Sequence, residues 1–564
     1  MAGTLKIKKL TFTAGLRAGS PPLEIKPDAT VLFVGPNNSG KSLALREIEN
    51  WCFNQNTPTK VISQVEIDFP TGVRAAERLV RAMKVSPPPE NVEDATSVWM
   101  GQHSFSERGV RRFQVSLTQL RDVVRNRDLN QLREWLTASY TIRLDGRTRF
   151  SLSDPKPTGD LLQPPQNHLA ALFTDKDSRE KVRHLTEEAF GSHFTIDPTA
   201  MTTFRIRLSS RAPIDNEDQS LDQRGRDFHS NAPLINEFSD GVLAFVGLIS
   251  AVMSLPHKII LIDEPEAFLH PPLARRLGQN LSKLTQEREA TLVSSTHSSE
   301  FLMGCLESTP NTVVVRLTYQ GGIATARTLT APQVKEMTKD PLLRSTGVLR
   351  GLFHKAVVVT EADADRAFYD EINRRLNNSA KGIDDALFIN GQNMHTVNRL
   401  VKPLREIGIP TAAIVDLDFI RQRGSNWRNL IRACNIPDAV NTQIKSERDY
   451  LCLQFNTLQS ASGEDELKKK GIRALNITDR TRARIFINEL SKYGLFVVPH
   501  GELEKWLPSL GVSGHTPDWL IDVFSKIGDD ETSTSYLRPS NRDVWKFLND
   551  VSKWISNPQR LGVN

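Results

Sequence analysis

The sequence predicts an α/β protein made of two units, each built on strands that alternate with helices. The first unit opens with an apolar strand, a glycine-containing loop and a helix over residues 29–52. The second opens near residue 355, where the alternation of strand and helix patterns is typical of a parallel, Rossmann-like sheet. We therefore expect one domain at 1–345 and another at 352–564. Proline-rich breaks and charged helices predict an inserted helical or dimerisation region at about 70–230.

The composition is that of a globular protein with ordinary cores. Of the 564 residues, 39% are hydrophobic and 24% are charged. No stretch approaches the roughly 18 uninterrupted apolar residues of a membrane span, and the first residues lack the apolar run of a signal peptide. We therefore expect a cytoplasmic protein with no membrane partner. The net charge of +6 permits a nucleic-acid partner without requiring one.

A phosphate-binding loop is predicted at residues 35–42, which match GxxxxGK[ST] between a predicted strand and a predicted helix. Glycines let backbone N–H groups approach phosphates, and the helix N-terminus adds a favourable dipole. Lys41 would reach the β- and γ-phosphates, and Ser42 would bind magnesium. The predicted nucleotide-binding residues of the loop are Gly35, Asn38, Gly40, Lys41 and Ser42.

Two later strands end in polar residues that suit the same chemistry. The apolar residues 259–262 run into Asp263 and Glu264, a costly pairing of carboxylates unless a cation and a water meet them. Asp263 suits the magnesium shell and Glu264 suits activation of the attacking water. A further strand ends at His297, which could sense the γ-phosphate, although a histidine after a strand is by itself more often structural.

The order of these parts resembles the ABC ATPase family. Its signature would be Phe238-Ser239-Asp240-Gly241, with Asp240 where the family usually has glycine. The resemblance implies that ATP and Mg²⁺ bind here. It also implies that Ser239 and Gly241 of one protomer complete the nucleotide site of another, so that the protein forms a homodimer or a higher oligomer.

Three acidic pairs follow strands of the second unit, and the carboxyl ends of parallel strands share one crevice. Acids converging there would repel one another unless cations neutralised them, and carboxylates are ligands that Mg²⁺ or Mn²⁺ prefers. Paired metals suit in-line attack on a phosphodiester. Each pair alone is equally well explained as a solvated strand end. The candidate metal ligands are Glu361, Asp365, Asp416, Asp418, Glu502 and Glu504.

These acids look like the motifs of a TOPRIM domain, although Ala362 replaces the glycine of its Glu-Gly-x-x-Asp segment. An ABC-type ATPase followed by TOPRIM resembles the OLD (overcoming lysogenisation defect) family, which includes the Gabija nuclease and several retron-associated effectors. The resemblance implies metal-dependent cleavage of nucleic acid, DNA in preference to RNA, with Glu361 and Asp416 as catalytic residues. It further implies nucleotide control and a role in anti-phage defence, in some cases beside a co-encoded partner.

One departure leaves a second interpretation open. The family usually has a lysine near the C-terminal end, for which Arg542 and Lys546 are the candidates here. An ATPase sensor or scaffold, whose degenerate TOPRIM unit controls a separate effector, therefore remains the alternative. A topoisomerase or primase would need a further domain that the sequence does not contain. The stretch 421–428, with arginines around Trp427, is a candidate nucleic-acid contact and equally a solvated helix start.

Overall fold

The computed structural model describes residues 5–55, 57–88, 90–91, 94–104, 109–309, 311–330, 332–334, 337, 340–422, 424–458 and 466–563. The chain divides into two compact units, Met1–Pro332 and Gln333–Asn564. This division falls earlier than the expected boundary at 345–352. The reason is local, because the helix Pro341–Ser345 packs on the following turn Val348–Phe353, which contacts the second sheet.

The first unit contains four sheets. Its strands are β1 (Lys6–Phe12), β2 (Glu24–Ile25), β3 (Thr30–Val34), β4 (Ile62–Asp68), β5 (Ser97–Ser104), β6 (Gly109–Ser116), β7 (Thr141–Leu144), β8 (Lys156–Pro157), β9 (His193–Asp197), β10 (Thr203–Ser209), β11 (Ile259–Asp263), β12 (Thr291–Ser295), β13 (Val313–Gln320) and β14 (Ile323–Leu329). The central sheet has the order β14–β13–β3–β12–β11–β7 and is parallel apart from the β13–β14 hairpin. The three smaller sheets, β2–β1–β4, β8–β10–β9 and β5–β6, are antiparallel.

Helices pack on the central sheet and lie between its strands in the chain. The helices of the first unit are α1 (Lys41–Cys52), α2 (Val73–Ala82), α3 (Leu117–Asn126), α4 (Leu129–Leu132), α5 (Ala138–Tyr140), α6 (Thr148–Ser151), α7 (His168–Thr174), α8 (Lys176–Phe190), α9 (Gln223–Ser230), α10 (Asp240–Ser254), α11 (Pro271–Glu287) and α12 (Ser299–Ser308). A π-helical turn, Arg133–Thr137, leads into α5. Every residue of β3 is buried, as expected for a parallel strand covered on both faces.

The expected insertion at 70–230 is not one separate block. Its strand β7 belongs to the central sheet and pairs parallel with β11, placing Thr141 beside Ile259. The sequence missed this strand because it has only four residues, includes the charged Arg143 and lies at the sheet edge. The nucleotide-binding core therefore takes an element from within the region that the sequence assigns to the insertion.

The second unit is a four-stranded parallel sheet in the order β16–β15–β17–β18, which confirms the predicted Rossmann-like arrangement. Its strands are β15 (Ala356–Thr360), β16 (Ala386–Asn390), β17 (Thr411–Val415) and β18 (Leu495–Val497). Its helices are α13 (Pro341–Ser345), α14 (Asp363–Asn377), α15 (Met394–Glu406), α16 (Ser425–Ala433), α17 (Asp438–Asn456), α18 (Glu466–Lys470), α19 (Ile477–Ser491), α20 (Asp518–Ile527) and α21 (Asp543–Ser556).

Each unit has its own apolar core. In the second unit, Phe368 and Ile372 of α14 pack with strand residues such as Val358 and with aromatic side chains of the C-terminal region, including Trp506 and Trp519. Phe368 and Ile372, which are one turn apart, thus lie on the buried face of α14. Within the described residues, no helix is long and apolar enough to cross a membrane.

Candidate functional site

The phosphate loop has the backbone that its pattern predicts. Asn38 and Gly40 take left-handed conformations, with φ of 59° and 95°, immediately before α1. Lys41 is 5% exposed, and its Nζ donates to the carbonyls of Gly35 at 2.9 Å and Pro36 at 2.7 Å. The ammonium group therefore lies within the curve of the loop, as a lysine that meets phosphates requires.

The two predicted magnesium-binding residues meet. Ser42 Oγ donates to Asp263 Oδ1 at 2.9 Å, and the hydroxyl of Ser295 donates to the same oxygen. Strands β3, β12 and β11 are neighbours, so their carboxyl ends bring these groups together from positions more than 200 residues apart in the chain. A hydroxyl and a carboxylate are ligands that suit Mg²⁺.

Glu264 and His297 lie beside this pair. Glu264 Oε1 is 3.6 Å from His297 Nε2, and both side chains are partly exposed. Glu266, which sequence reasoning missed, accepts at Oε1 from the backbone N–H of His297 at 2.7 Å and from the Thr296 hydroxyl at 2.8 Å. Burial raises the pKa of Glu266. The turn after β11 thereby holds the backbone at the end of β12.

The candidate signature lies at the start of α10. Ser239 is the residue before the helix and is exposed, as is Asp240. Gly241 lies against the backbone of Phe268, where a Cβ would come within 2.8 Å of the carbonyl oxygen. Ser239 is thus accessible at the N-terminus of α10.

A cavity of about 310 Å³ opens beside the phosphate loop. It is lined by Asn38 and Gly40 of the loop, by Thr13 and Val61, and by Tyr319 of the β13–β14 hairpin. Its position and apolar lining suit the base and sugar of a nucleotide whose phosphates lie in the loop.

In the second unit, the six predicted acids come together at the carboxyl edge of the parallel sheet. The backbone N–H of Asp416, which follows β17, donates to Glu361 Oε1 at 2.8 Å. Asp365 caps α14 by accepting from the backbone N–H of Ala362 at 3.0 Å.

The electrostatics show how closely these acids interact. Burial, and then the charges of Glu361, Asp365, Asp418 and Glu502, raise the pKa of Asp416 far above its ordinary value. Burial likewise raises the pKa of Glu361, with the charges of Asp365 and Asp418 adding to the effect.

Asp365 follows the same pattern at the edge of this group. Its pKa is raised to about 6 by burial and by the charge of Glu504. Each of the six acids is therefore within electrostatic reach of at least one other.

Hard oxygen donors with mutually raised pKa values fit a divalent cation. The side chains are nevertheless not arranged around one point, since no group of three or more His, Cys, Asp or Glu within the described part of the chain has the geometry of a metal site. Glu361, Asp365 and Asp416 are the residues that would hold the ion. The metal would supply charge neutralisation and activation of water.

Ala362 is compatible with this site. Its backbone has φ −128° and ψ 170°, an extended conformation that alanine adopts without strain. The replacement of the usual glycine therefore does not distort the turn between β15 and α14.

Lys546, a candidate for the lysine that the family usually has near its C-terminal end, forms an ion pair with Asp550, one turn along its own helix.

The predicted nucleic-acid contact around Trp427 is wrong in its main feature. Trp427 is 4% exposed, stacks on Phe419 at 4.8 Å and carries Arg448 over its face. Arg421 pairs with Asp418 at 2.6 Å, and Arg423 lies outside the described residues. The tryptophan is a core residue because two aromatic rings and a buried arginine enclose it, so it cannot stack on a base.

A different set of basic residues, which sequence reasoning missed, begins beside these acids at Lys468. The strip consists of the exposed residues Lys468, Lys469, Lys470, Arg473 and Arg484. Lys468 Nζ is 3.6 Å from Glu502 Oε1. Gly501, at φ 98°, leaves room for the carbonyl of Lys468, which a Cβ would approach to 2.4 Å. We name this set the basic strip.

Family models match both units. Residues 111–303 match the model described as "AAA domain, putative AbiEii toxin, Type IV TA system", and residues 352–418 match "Overcoming lysogenization defect protein-like, TOPRIM domain". A comparison with curated proteins gives no match.

Solved structures similar to the chain include three heads of SMC proteins. An SMC head bound to the C-terminal winged-helix domain of ScpA is 12% identical, with a TM-score of 0.33, and covers 59% of this chain and 99% of its own. The SMC head domain from Thermotoga maritima is 14% identical, with a TM-score of 0.28, and the match covers 57% of this chain and 99% of that head domain. A Pyrococcus furiosus head with an extended coiled coil is 12% identical, with a TM-score of 0.29, and covers 60% and 99%.

Asp263 lies within the first matched range, and Glu361, Asp365, Asp416 and Asp418 lie within the second. The chain therefore has the domain order of the OLD family, an AAA-type ATPase domain followed by an OLD-like TOPRIM domain.

Proposed function

We propose that this protein binds and hydrolyses ATP and is a metal-dependent endonuclease whose activity the nucleotide regulates. The matched ATPase and TOPRIM domains support a nucleotide-dependent, nuclease-type function. The observation that carries the finer proposal is the convergence of six acids at the carboxyl edge of the β15–β17–β18 sheet, with Asp416 hydrogen-bonded to Glu361.

In the ATPase unit, Lys41 neutralises phosphate charge, and Ser42 with Asp263 holds Mg²⁺. Glu264 takes a proton from the attacking water, and His297 contacts the γ-phosphate. Ser239 and Gly241 of a second copy complete the site, so the working form is a homodimer or a higher oligomer. The exposure of Ser239 supports this arrangement.

In the TOPRIM unit, Glu361, Asp365, Asp416, Asp418, Glu502 and Glu504 hold Mg²⁺ or Mn²⁺. Bound there, the ion would supply charge neutralisation at the scissile phosphate and activation of water. Glu361 and Asp416 orient the reacting groups. Lys468 Nζ lies 3.6 Å from Glu502 Oε1, and this basic group beside the acids supports contact with a phosphodiester backbone.

The preferred substrate is DNA rather than RNA, and the basic strip binds its backbone without reading sequence. The similarity of the second unit to OLD-like TOPRIM domains supports our further proposal of a cytoplasmic role in anti-phage defence, in some contexts with a co-encoded partner. Incubating the purified protein with plasmid DNA and with RNA, with Mg²⁺ or Mn²⁺ and with or without ATP, tests the proposal. Cleavage of DNA that depends on metal and responds to ATP is expected.

A second function has specific support. Within the described residues the acids do not form a ready metal site, and Lys546 is engaged by Asp550. Both observations favour an ATPase sensor or scaffold whose TOPRIM unit controls a separate effector. Calorimetric titration with Mn²⁺ separates the two, because a scaffold with a degenerate site would bind no metal at Glu361 and Asp416.

A further inference from the structure

We propose that Arg149 is a positioning residue for ATP hydrolysis, holding the Asp263–Glu264 turn and coupling it to the signature helix α10. The inference rests on the proposed ATPase activity. Arg149 lies in α6, within the region that the sequence assigns to an insertion, and no sequence pattern singled it out.

The first observation is the contact itself. Arg149 is 1% exposed, and its Nη2 donates to the carbonyl of Asp263 at 2.9 Å and to that of Glu264 at 2.6 Å. Burial lowers the pKa of Arg149, while the charges of Glu266, Glu264 and Asp263 favour its protonated form. A guanidinium group is costly to bury without several partners, so its position here, on the backbone of both acids, is specific.

The second observation is the conformation that Arg149 holds. Glu264 has φ 49°, in the left-handed region that non-glycine residues adopt only when their surroundings impose it. Its N–H donates to the carbonyl of Ser295 at 3.1 Å, and its own carbonyl accepts from Arg149. The backbone of Glu264 is therefore held on both sides. Its carboxylate is in consequence directed towards His297, 3.6 Å away.

The third observation is the link to α10. Ser153 Oγ, just after α6, donates to the carbonyl of Leu243 at 3.1 Å. Gly247 of α10 is packed so closely that a Cβ would meet Leu152 Cβ at 3.0 Å. The segment 148–153 thus touches the signature helix on one side and the catalytic turn on the other.

Phe268 makes a second link between α6 and the signature. The ring of Phe150 lies 5.0 Å from that of Phe268, in the loop after Glu264. Gly241 of the signature lies against the carbonyl of the same Phe268. A displacement of α10 when a second copy's nucleotide engages Ser239 would therefore reach the Glu264 turn through packed groups.

The test compares Arg149→Met with a matched control, Arg179→Met, in the full-length protein. Arg179 is also buried and donates from Nη1 to two backbone carbonyls, those of Leu172 and Phe173, at 3.2 and 2.6 Å. Loss of a hydrogen bond from a charged group corresponds to a roughly 10- to 100-fold effect. We expect kcat for ATP hydrolysis to fall by about that factor in Arg149→Met, with the Kd for a fluorescent ATP analogue changed less than about 3-fold.

Arg179→Met should lower the melting temperature but leave kcat near the wild-type value. Arg149→Lys, which keeps the charge and one donor direction, should show an intermediate kcat. Equal kcat values in the two methionine variants, or a kcat loss matched by an equal rise in Kd, would overturn the inference.

Two further measurements keep the test decisive. If Arg149→Met does not fold, Arg149→Lys and Ser153→Ala take its place, and wild-type kcat in both would overturn the inference. If the wild-type protein itself neither binds nor hydrolyses ATP, the proposed ATPase function fails instead. Turnover in the wild type that is insensitive to Arg149 removes only the coupling role.

Discussion

The backbone N–H of Asp416 donates to Glu361 Oε1 at 2.8 Å, joining two acidic residues that follow neighbouring strands of a parallel sheet. This bond holds one carboxylate beside the main chain that carries the other. It cannot relieve the repulsion between the two side chains, and burial adds to the cost of ionising both. A divalent cation bound by the two carboxylates would offset this repulsion.

The first prediction concerns stability against pH without metal. The folded-state pKa values of Asp416 and Glu361 are raised, so their favourable contribution is fully present below the unfolded pKa, near 4, and is lost as pH rises through the folded values. In EDTA, Asp416→Asn should therefore melt higher than wild type at pH 8, and the difference should be smaller at pH 5.

Asp522→Asn, at an exposed position of α20, serves as the control and should leave the melting temperature unchanged at both pH values. Addition of Mn²⁺ at pH 8 should raise the melting temperature of wild type more than that of Asp416→Asn. A melting temperature of Asp416→Asn that is equal to wild type at every pH would contradict the electrostatic account.

The second prediction concerns the proposed water-activating role of Glu264. Glu264→Gln keeps the shape but removes the base, so ATP turnover should fall by about 100-fold or more while ATP binding persists. Release of phosphate and binding of a fluorescent ATP analogue measure the two effects separately. Comparable turnover in the variant would move the catalytic role to another residue, with Glu266 as the next candidate.

The third prediction concerns the shared nucleotide site. Lys41→Ala removes the phosphate contact, and Ser239→Arg blocks the signature, so each variant alone should hydrolyse almost no ATP. Mixing the two should restore part of the activity, because one site of the mixed dimer then has an intact Lys41 from one copy and Ser239 from the other. Failure to regain activity after subunit exchange, shown with differently tagged copies, would rule out site sharing.

The fourth prediction concerns the basic strip. Reversing Lys469, Arg473 and Arg484 to glutamate should weaken binding of labelled duplex DNA by about 10-fold or more and reduce its salt dependence, since each lost phosphate contact lowers the slope by about 0.9. Fluorescence anisotropy in Ca²⁺ measures binding without turnover. The matched control reverses Lys381, Lys402 and Lys492, which are exposed elsewhere on the same unit. Equal losses in both triple variants would mean that only net charge matters.

Local patterns predicted those parts of the molecule whose physical cause is local. The strands at 259–263 and 411–415 are short, buried runs with an acid at the last residue or directly after it. Because these acids follow the strands in the chain, the sequence alone places their carboxylates at the carboxyl edge of the sheet. The phosphate loop is equally local, because its glycines and lysine lie within eight residues.

The remaining features depend on contacts between distant segments. Arg149 and Glu264 are 115 residues apart, and nothing near Arg149 in the sequence distinguishes it from a surface arginine. At Trp427 the local sequence was misleading, because an aromatic residue among arginines suggested stacking on a base. The fold instead encloses it with Phe419 and Arg448.

The most direct test of the central claim is plasmid cleavage with Mg²⁺ or Mn²⁺, with and without ATP, by wild type and Asp416→Ala. Asp416→Ala removes one of the central carboxylates and leaves the ATPase unit untouched. The account predicts that wild type nicks or linearises the plasmid with a rate that ATP changes, whereas Asp416→Ala does not cut and still hydrolyses ATP at close to the wild-type rate. Undiminished cleavage by Asp416→Ala, or no cleavage of DNA or RNA by wild type under any of these conditions, would contradict it.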